Sequence, residues 1–229
     1  MEIKIKPISV NIKSNKKFNS RYITPPPCHQ IEESFLKYKY AADLAKDVVI
    51  DKGVRHFVII DGTFVFGDFI EALIVEKNYL VKHMLISTLS MNQNNVDSLK
   101  NLIVGDYVQN LDLIVSDYFY SHERHELVPY IYEKLDIDDK FQLAVAGTHC
   151  KICAFETECG KKIVIHGSSN LRSSSNIEQF IIEESEAIYD FNKEIHDNIV
   201  EKYKTIKKSL RYKKLWAEVE NIEQRKQTF

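Results

Sequence analysis

His149, Cys150 and Lys151 place a nucleophile and a cation two residues apart, with Glu156 five residues beyond Lys151 and the loop Gly167-Ser168-Ser169-Asn170 further on. Phe141 to Phe155 reads as strand, and side chains two apart on a strand share a face, so the imidazole and the ammonium reach one phosphate. Gly167 lets backbone approach a ligand closely. Ser168 and Asn170 supply hydroxyl and amide donors for non-bridging oxygens as negative charge develops on them. Together these groups suit displacement at a phosphodiester in which protein side chains supply the positive charge and no metal or other cofactor is needed.

The spacing is His-x-Lys-x4-Glu (HCKICAFE, 149–156), then GSSN (167–170), then Asn176-Ile177-Glu178. Over Val145 to Glu178 it resembles the phospholipase D superfamily, whose signature is His-x-Lys-x4-Asp, a Gly-Ser-x-Asn loop and a downstream Asn-x-Glu. Glu156 stands where the family has Asp, and the connection from Glu156 to Gly167 is longer than usual. The resemblance implies an α/β fold with a mixed, largely parallel sheet flanked by helices on both faces. It implies His149 as nucleophile and Lys151, Ser168 and Asn170 as phosphate-binding groups. Glu178 would orient the imidazole of His149, and Glu156 and Gly167 would have structural roles. The family brings two such motifs together, whereas none of His29, His56, His83, His122, His125, His166 and His196 is followed two residues later by Lys. Resemblance to the single-motif members, which include small endonucleases, implies a twofold homodimer in which the two His149 side chains face each other.

The elements that must position these residues belong to a chain of 229 residues with 31 basic and 33 acidic side chains and 44% hydrophobic residues, an ordinary globular composition with one good core. Near-zero net charge means that any nucleic-acid surface is a local patch. The opening residues have no continuous apolar run of the signal-peptide kind, and no later run approaches a bilayer span, so a cytoplasmic protein without membrane contact is expected. The four cysteines, Cys28, Cys150, Cys153 and Cys159, then read as thiols.

Residues 1–30, lysine-rich and leading into Pro25-Pro26-Pro27, read as an arm; 31–208 as the catalytic domain; and 209–229 as a helical extension. Helical spacing of apolar residues predicts a helix over Ile31 to Asp51, stopping at Gly53. Strands are expected at Arg55–Ile60, Leu80–Ser87, Leu111–Ser116 and Phe141–Ala146, alternating with helices at Asp68–Lys77, Asn94–Val104 and Glu126–Leu135. That alternation argues for βαβ units and a largely parallel sheet. A hairpin is expected from Lys151–Phe155 and Lys162–His166, then a strand over Ile177–Ile182 and a helix from Ser185, its cap, to Lys208. A last helical piece covers Leu215–Gln224.

Cys150 and Cys153 suggest a zinc knuckle, but on a strand they point to opposite faces and cannot converge on one ion. His122 and His125 lack the spacing that puts two imidazoles on one helical face, and read as solvated loop. Lys202 to Lys214 contains seven basic and no acidic residues, among them Lys207, Lys208, Arg211 and Lys214, interleaved with Tyr203 and Tyr212. It reads either as a phosphate-neutralising, base-stacking stripe or as a solvated helix face. The function expected is a phosphodiesterase, an endonuclease on nucleic acid with DNA ahead of RNA. A lipid phosphodiesterase or phosphatidyltransferase, and a non-catalytic nucleic-acid-binding module, are the alternatives.

Overall fold

The computed structural model describes residues 32–38, 40–172 and 175–204, so the expected N-terminal arm and the C-terminal extension lie outside the described residues. The chain folds as an eight-stranded mixed sheet with helices on both faces, in the strand order β1-β2-β8-β7-β6-β3-β4-β5. The strands are β1 (Glu32–Tyr38), β2 (Val54–Ile60), β3 (Val81–Thr88), β4 (Leu111–Ser116), β5 (Phe141–Ala146), β6 (Ile152–Thr157), β7 (Lys162–Gly167) and β8 (Glu178–Glu184). The helices are α1 (Ala41–Asp47), α2 (Phe66–Glu76), α3 (Gln93–Val104), α4 (Asp117–Glu123), α5 (Leu127–Leu135) and α6 (Glu186–Tyr203). The parallel share is smaller than the alternation of elements implies. β1–β2, β3–β4 and β4–β5 are parallel, while β2–β8, β3–β6, β6–β7 and β7–β8 are antiparallel. The cause is the pair of antiparallel returns, a short one after Thr157 and a longer one after Gly167, which insert β6, β7 and β8 between the two parallel halves.

Alternation along the strands builds two apolar layers. Met84, Ile86, Leu113, Val115, Leu143, Cys153, Phe155, Ile163, Ile165 and Ile182 face the main core. The alternate positions Leu85, Ala154, Val164, Ile114 and Ala144 face α6. On α2, Phe66, Phe69, Ile70, Leu73 and Ile74 recur at helical spacing and are buried on the main side. α3 begins with a reciprocal capping box between Asn92 and Asn95. α6 begins at Ser185, whose hydroxyl accepts from the Ile188 amide at 3.3 Å, as expected for a cap. It crosses the opposite face with Tyr189 and His196 buried. No helix among the described residues is long and apolar enough to cross a membrane.

The helix expected over Ile31 to Asp51 is instead the strand β1 followed by the short α1. Pairing of β1 with β2 through seven registered residues satisfies its backbone at the sheet edge, a tertiary gain that local spacing does not contain. His122 lies on α4, a short helix capped by Ser116, and not in a loop. The β6–β7 hairpin turns through Gly160 at φ +86°, a left-handed conformation in which glycine meets no steric cost.

Candidate functional site at the carboxyl end of the sheet

β5 is the edge strand, while β6 lies on the far side of β3, so the chain must cross the ends of β4 and β3 to enter β6. His149, Cys150 and Lys151 lie in that crossing, between β5 and β6, and not on one continuous strand. Their proximity is therefore set by the crossing and its anchors, not by strand periodicity. Ser87, near the end of β3, donates its hydroxyl to the Cys150 carbonyl at 3.1 Å, and the Cys150 amide donates to Thr148 Oγ1 at 3.1 Å. The Gly167 amide donates to the Lys151 carbonyl at 3.2 Å, joining the crossing to the start of the GSSN loop.

Register places the remaining residues at the same end. Ile152 pairs with His166, Gly167 with Phe180, and Glu178 with Ile60, so the ends of β6, β7, β8 and β2 lie side by side. The carboxyl ends of β2, β3, β4 and β5 all open there, the edge at which α/β sheets generally hold ligands. The GSSN loop is tied down from below. The Asn170 carbonyl oxygen accepts from the Leu89 amide at 3.1 Å, and the Leu171 carbonyl accepts from the Gly67 amide at 2.8 Å. This leaves the two amide hydrogens of Asn170 as its ligand-binding capacity.

Gly167 is required for a reason other than ligand approach. A Cβ there would lie 2.6 Å from the Phe180 Cα and against the Gln179 carbonyl, so the glycine permits β7 and β8 to close beside the loop. Phe180 in turn stacks on Phe64, Phe66 and Phe69 at centroid distances of 5.9, 5.2 and 5.5 Å, fixing the loop after β2 next to Glu178. Arg55 and Glu183, paired across β2 and β8 at 2.9 Å, with His166 at 3.7 Å, brace the same strands. Burial raises the Glu183 carboxyl, but His166 and Arg55 outweigh it and hold the group below the ordinary carboxylate range.

His149 is exposed, and its imidazole has no hydrogen-bond partner among the described residues. Lys151 is half-buried and donates to the His149 carbonyl at 3.1 Å, a contact that uses one of its three ammonium protons. The bond from the His149 ring to Glu178 that the resemblance implies is not formed in the single chain. Glu178 Oε2 accepts from the Ser168 hydroxyl instead. Glu178 opens β8 and the crossing leads into β6, two strands and therefore about 10 Å apart in the sheet, with the end of β7 and its Ser168 between them.

Glu156 is remote from this end. It lies five residues down β6 from Lys151, about 16 Å at strand rise, where it meets Lys82 at 3.7 Å beside the hairpin. Cys153 is fully buried in the core, where burial pushes its thiol far up, whereas Cys150 is exposed, so the two sulfurs of the CxxC element occupy different environments. Lys207, Lys208, Arg211 and Lys214 lie outside the described residues. Three residues at this end escape motif reading: Thr88, whose hydroxyl accepts from the Leu171 amide at 3.4 Å, and Asp61 and Arg172, which line a narrow cleft with Asn170 and Glu178. The available signal for Asp61 was its position directly after a strand in an Asp-Gly-Thr turn.

No family model matches the chain, and no curated protein matches it. Among solved structures, a phosphatidylserine synthase from Haemophilus influenzae is similar with a TM-score of 0.47 and 13% identity, over 80% of this chain and 49% of that one. An archaeal chromatin protein, whose structure is described as showing a novel mode of DNA binding, is similar with a TM-score of 0.40 and 8% identity, over 64% of this chain and 52% of that one. The chain thus spans about half the length of each of these structures.

Proposed function

We propose that the protein is a metal-independent phosphodiesterase, an endonuclease that acts through a covalent phosphohistidine in a site completed by a second copy of the chain. The observation that carries this reading is the convergence of His149, Lys151, Ser168, Asn170 and Glu178 from separate segments on one end of the sheet, with the imidazole of His149 exposed and unpartnered among the described residues. A neutral imidazole nitrogen of His149 attacks phosphorus in line. The N–P bond forms as the bond to the leaving oxygen breaks, and that oxygen takes a proton from the partner subunit's His149. Water then gives a proton to the same imidazole and attacks phosphorus, the N–P bond breaks, and both histidines return to their starting forms. Lys151, the Asn170 amide and the Ser168 hydroxyl, released from Glu178 when that carboxylate turns to His149, bind the equatorial oxygens, where charge spreads in the transition state. Glu178 orients the imidazole once the dimer and substrate draw His149 towards it; a carboxylate in that place selects the tautomer and stabilises the charged ring.

The direct test is cleavage of plasmid DNA and of labelled oligonucleotides in EDTA by the wild type and by His149→Ala, with light scattering on the same samples. Cleavage in chelator by a dimer, lost in His149→Ala without loss of the dimer, is the expected result. A strictly monomeric protein with full activity on dilution, or an unchanged His149→Ala variant, would refute the two-histidine mechanism.

A second reading, a lipid phosphodiesterase, is favoured by one feature. A groove of about 580 Å³ on the sheet face, lined by Phe57, Ile59 and Ile181, runs to His166 and Gly167 beside the site, and Ile59 is 48% exposed there. Hydrolysis of phospholipid vesicles in preference to nucleic acid would establish it.

A further inference from the structure

Beside the GSSN loop runs a cleft that none of the motif residues explains. Its walls include Asp61, Ser169, Asn170, Arg172, Asn176 and Glu178, and it is shallow, with about 10 Å³ of space, room for a single water. An arginine beside two carboxylates would ordinarily form an ion pair. Arg172 is exposed and has no hydrogen-bond or ion-pair partner among the described residues. The carboxylates are engaged by donors of their own. Asp61 Oδ1 accepts from the Thr63 amide at 3.0 Å and from its hydroxyl at 2.6 Å, and Glu178 accepts from Ser168. Ser169 is 5% exposed, and its hydroxyl has no partner among the described residues. Asn170, whose carbonyl oxygen is taken by Leu89, retains its amide hydrogens.

The donors left over in this cleft are a guanidinium, a hydroxyl and an amide. That set suits a phosphate, and the planar fork of an arginine matches two of its oxygens. Asn170 belongs both to the phosphate-binding loop and to the cleft wall, so an anion held at the mouth of the cleft, over its donors, lies next to the one at His149. We infer that Arg172 binds the phosphate neighbouring the scissile one, so that the site selects a strand with consecutive phosphodiesters, a nucleic acid, over a molecule carrying a single diester. This inference rests on the phosphodiesterase reading. Asp61 and Glu178 oppose an anion, but their charge is already shared with hydrogen-bond donors and screened by solvent, whereas the fork of Arg172 is free to contact phosphate directly.

The test compares the full-length protein with Arg172→Ala and Arg172→Lys on two substrates, a single-stranded oligonucleotide and bis(p-nitrophenyl) phosphate, which has one phosphate. Losing a charge-assisted bond should lower kcat/KM on the oligonucleotide by about 10- to 100-fold in Arg172→Ala, chiefly through KM. That loss should exceed the loss on the single diester by at least about tenfold, and the salt dependence of oligonucleotide binding should fall by about one unit of slope. Arg172→Lys should keep the slope and lose part of the affinity, because charge remains but the fork does not. Equal losses on both substrates would place Arg172 at the scissile phosphate or in the fold and overturn the inference, and so would no loss on either. A wild type that cleaves neither substrate would instead overturn the phosphodiesterase reading itself, and the inference with it.

Discussion

Mild acid should loosen the α6 face, and the histidine responsible is His196. Its side chain is buried at 6% exposure, with Nε2 facing the Ile86 carbonyl at 3.3 Å and Nδ1 without a partner among the described residues. Burial lowers its pKa from the ordinary 6.5 to about 4, against the opposing pull of the Ile86 carbonyl and of Asp112. Between those two values the unfolded chain binds a proton that the folded chain refuses, so stability rises with pH across this window. The contribution is fully present above 6.5 and is lost as pH falls towards 4. Integrating from pH 7 to pH 5 gives a loss of about 2 kcal/mol, or about 4–8 °C in Tm for a domain of this size. Other ionisable groups, Asp112 and His83, paired at 2.8 Å, and Asp197, lie beside α6, so a single melt does not isolate the effect. The difference between wild type and His196→Gln does, since glutamine retains a donor for the Ile86 carbonyl and does not titrate. Urea unfolding at half-unit steps from pH 7.5 to 4.5 should show the stability gap between the two proteins changing by about 2 kcal/mol in favour of the variant as pH falls. Parallel curves would mean that His196 takes up its proton in the folded state, and the burial argument would fail.

Gly167→Ala should cost about 1–3 kcal/mol, because its Cβ meets strand backbone and not a movable side chain, and should depress diester hydrolysis by shifting Ser168. Chemical denaturation with parallel kinetics checks it, and a variant of full stability and turnover would show that β7 and β8 tolerate separation. Glu178→Gln should lower kcat with little change in KM, whereas Glu156→Gln should change only stability, by less than about 1 kcal/mol, as expected for a partly exposed pair with Lys82. The reverse pattern would move the active end of the sheet. Replacing Lys207, Lys208, Arg211 and Lys214 together by glutamine should weaken DNA binding and flatten its salt dependence, by up to about 0.9 unit of slope for each phosphate that the variant no longer neutralises. An unchanged slope in a filter-binding titration would make the stretch a solvated face.

Strand and helix positions from β2 to α6 were largely legible, because each carries its own period and its own stop. Leu111–Ser116 and Phe141–Ala146 are apolar runs bounded by polar turns, α2 repeats its apolar residues at helical spacing, and Ser185 announces the start of α6. The chemical identity of His149, Lys151, Ser168, Asn170 and Glu178 was legible in the same way, as residue types at a spacing. Three-dimensional pairing decided the rest. β1 is a strand because β2 offers an open edge, and four of the seven strand pairs are antiparallel because β6, β7 and β8 turn back between the parallel halves of the sheet. The same insertion makes His149 and Lys151 part of a crossing over the ends of β4 and β3, brings Ser168 between them and Glu178, and leaves Glu156 at the far end of β6. Local propensity and spacing act over a few residues and are written in the sequence, whereas strand order depends on contacts between segments distant in the chain, such as Arg55 with Glu183, 128 residues apart, which only the folded chain brings together.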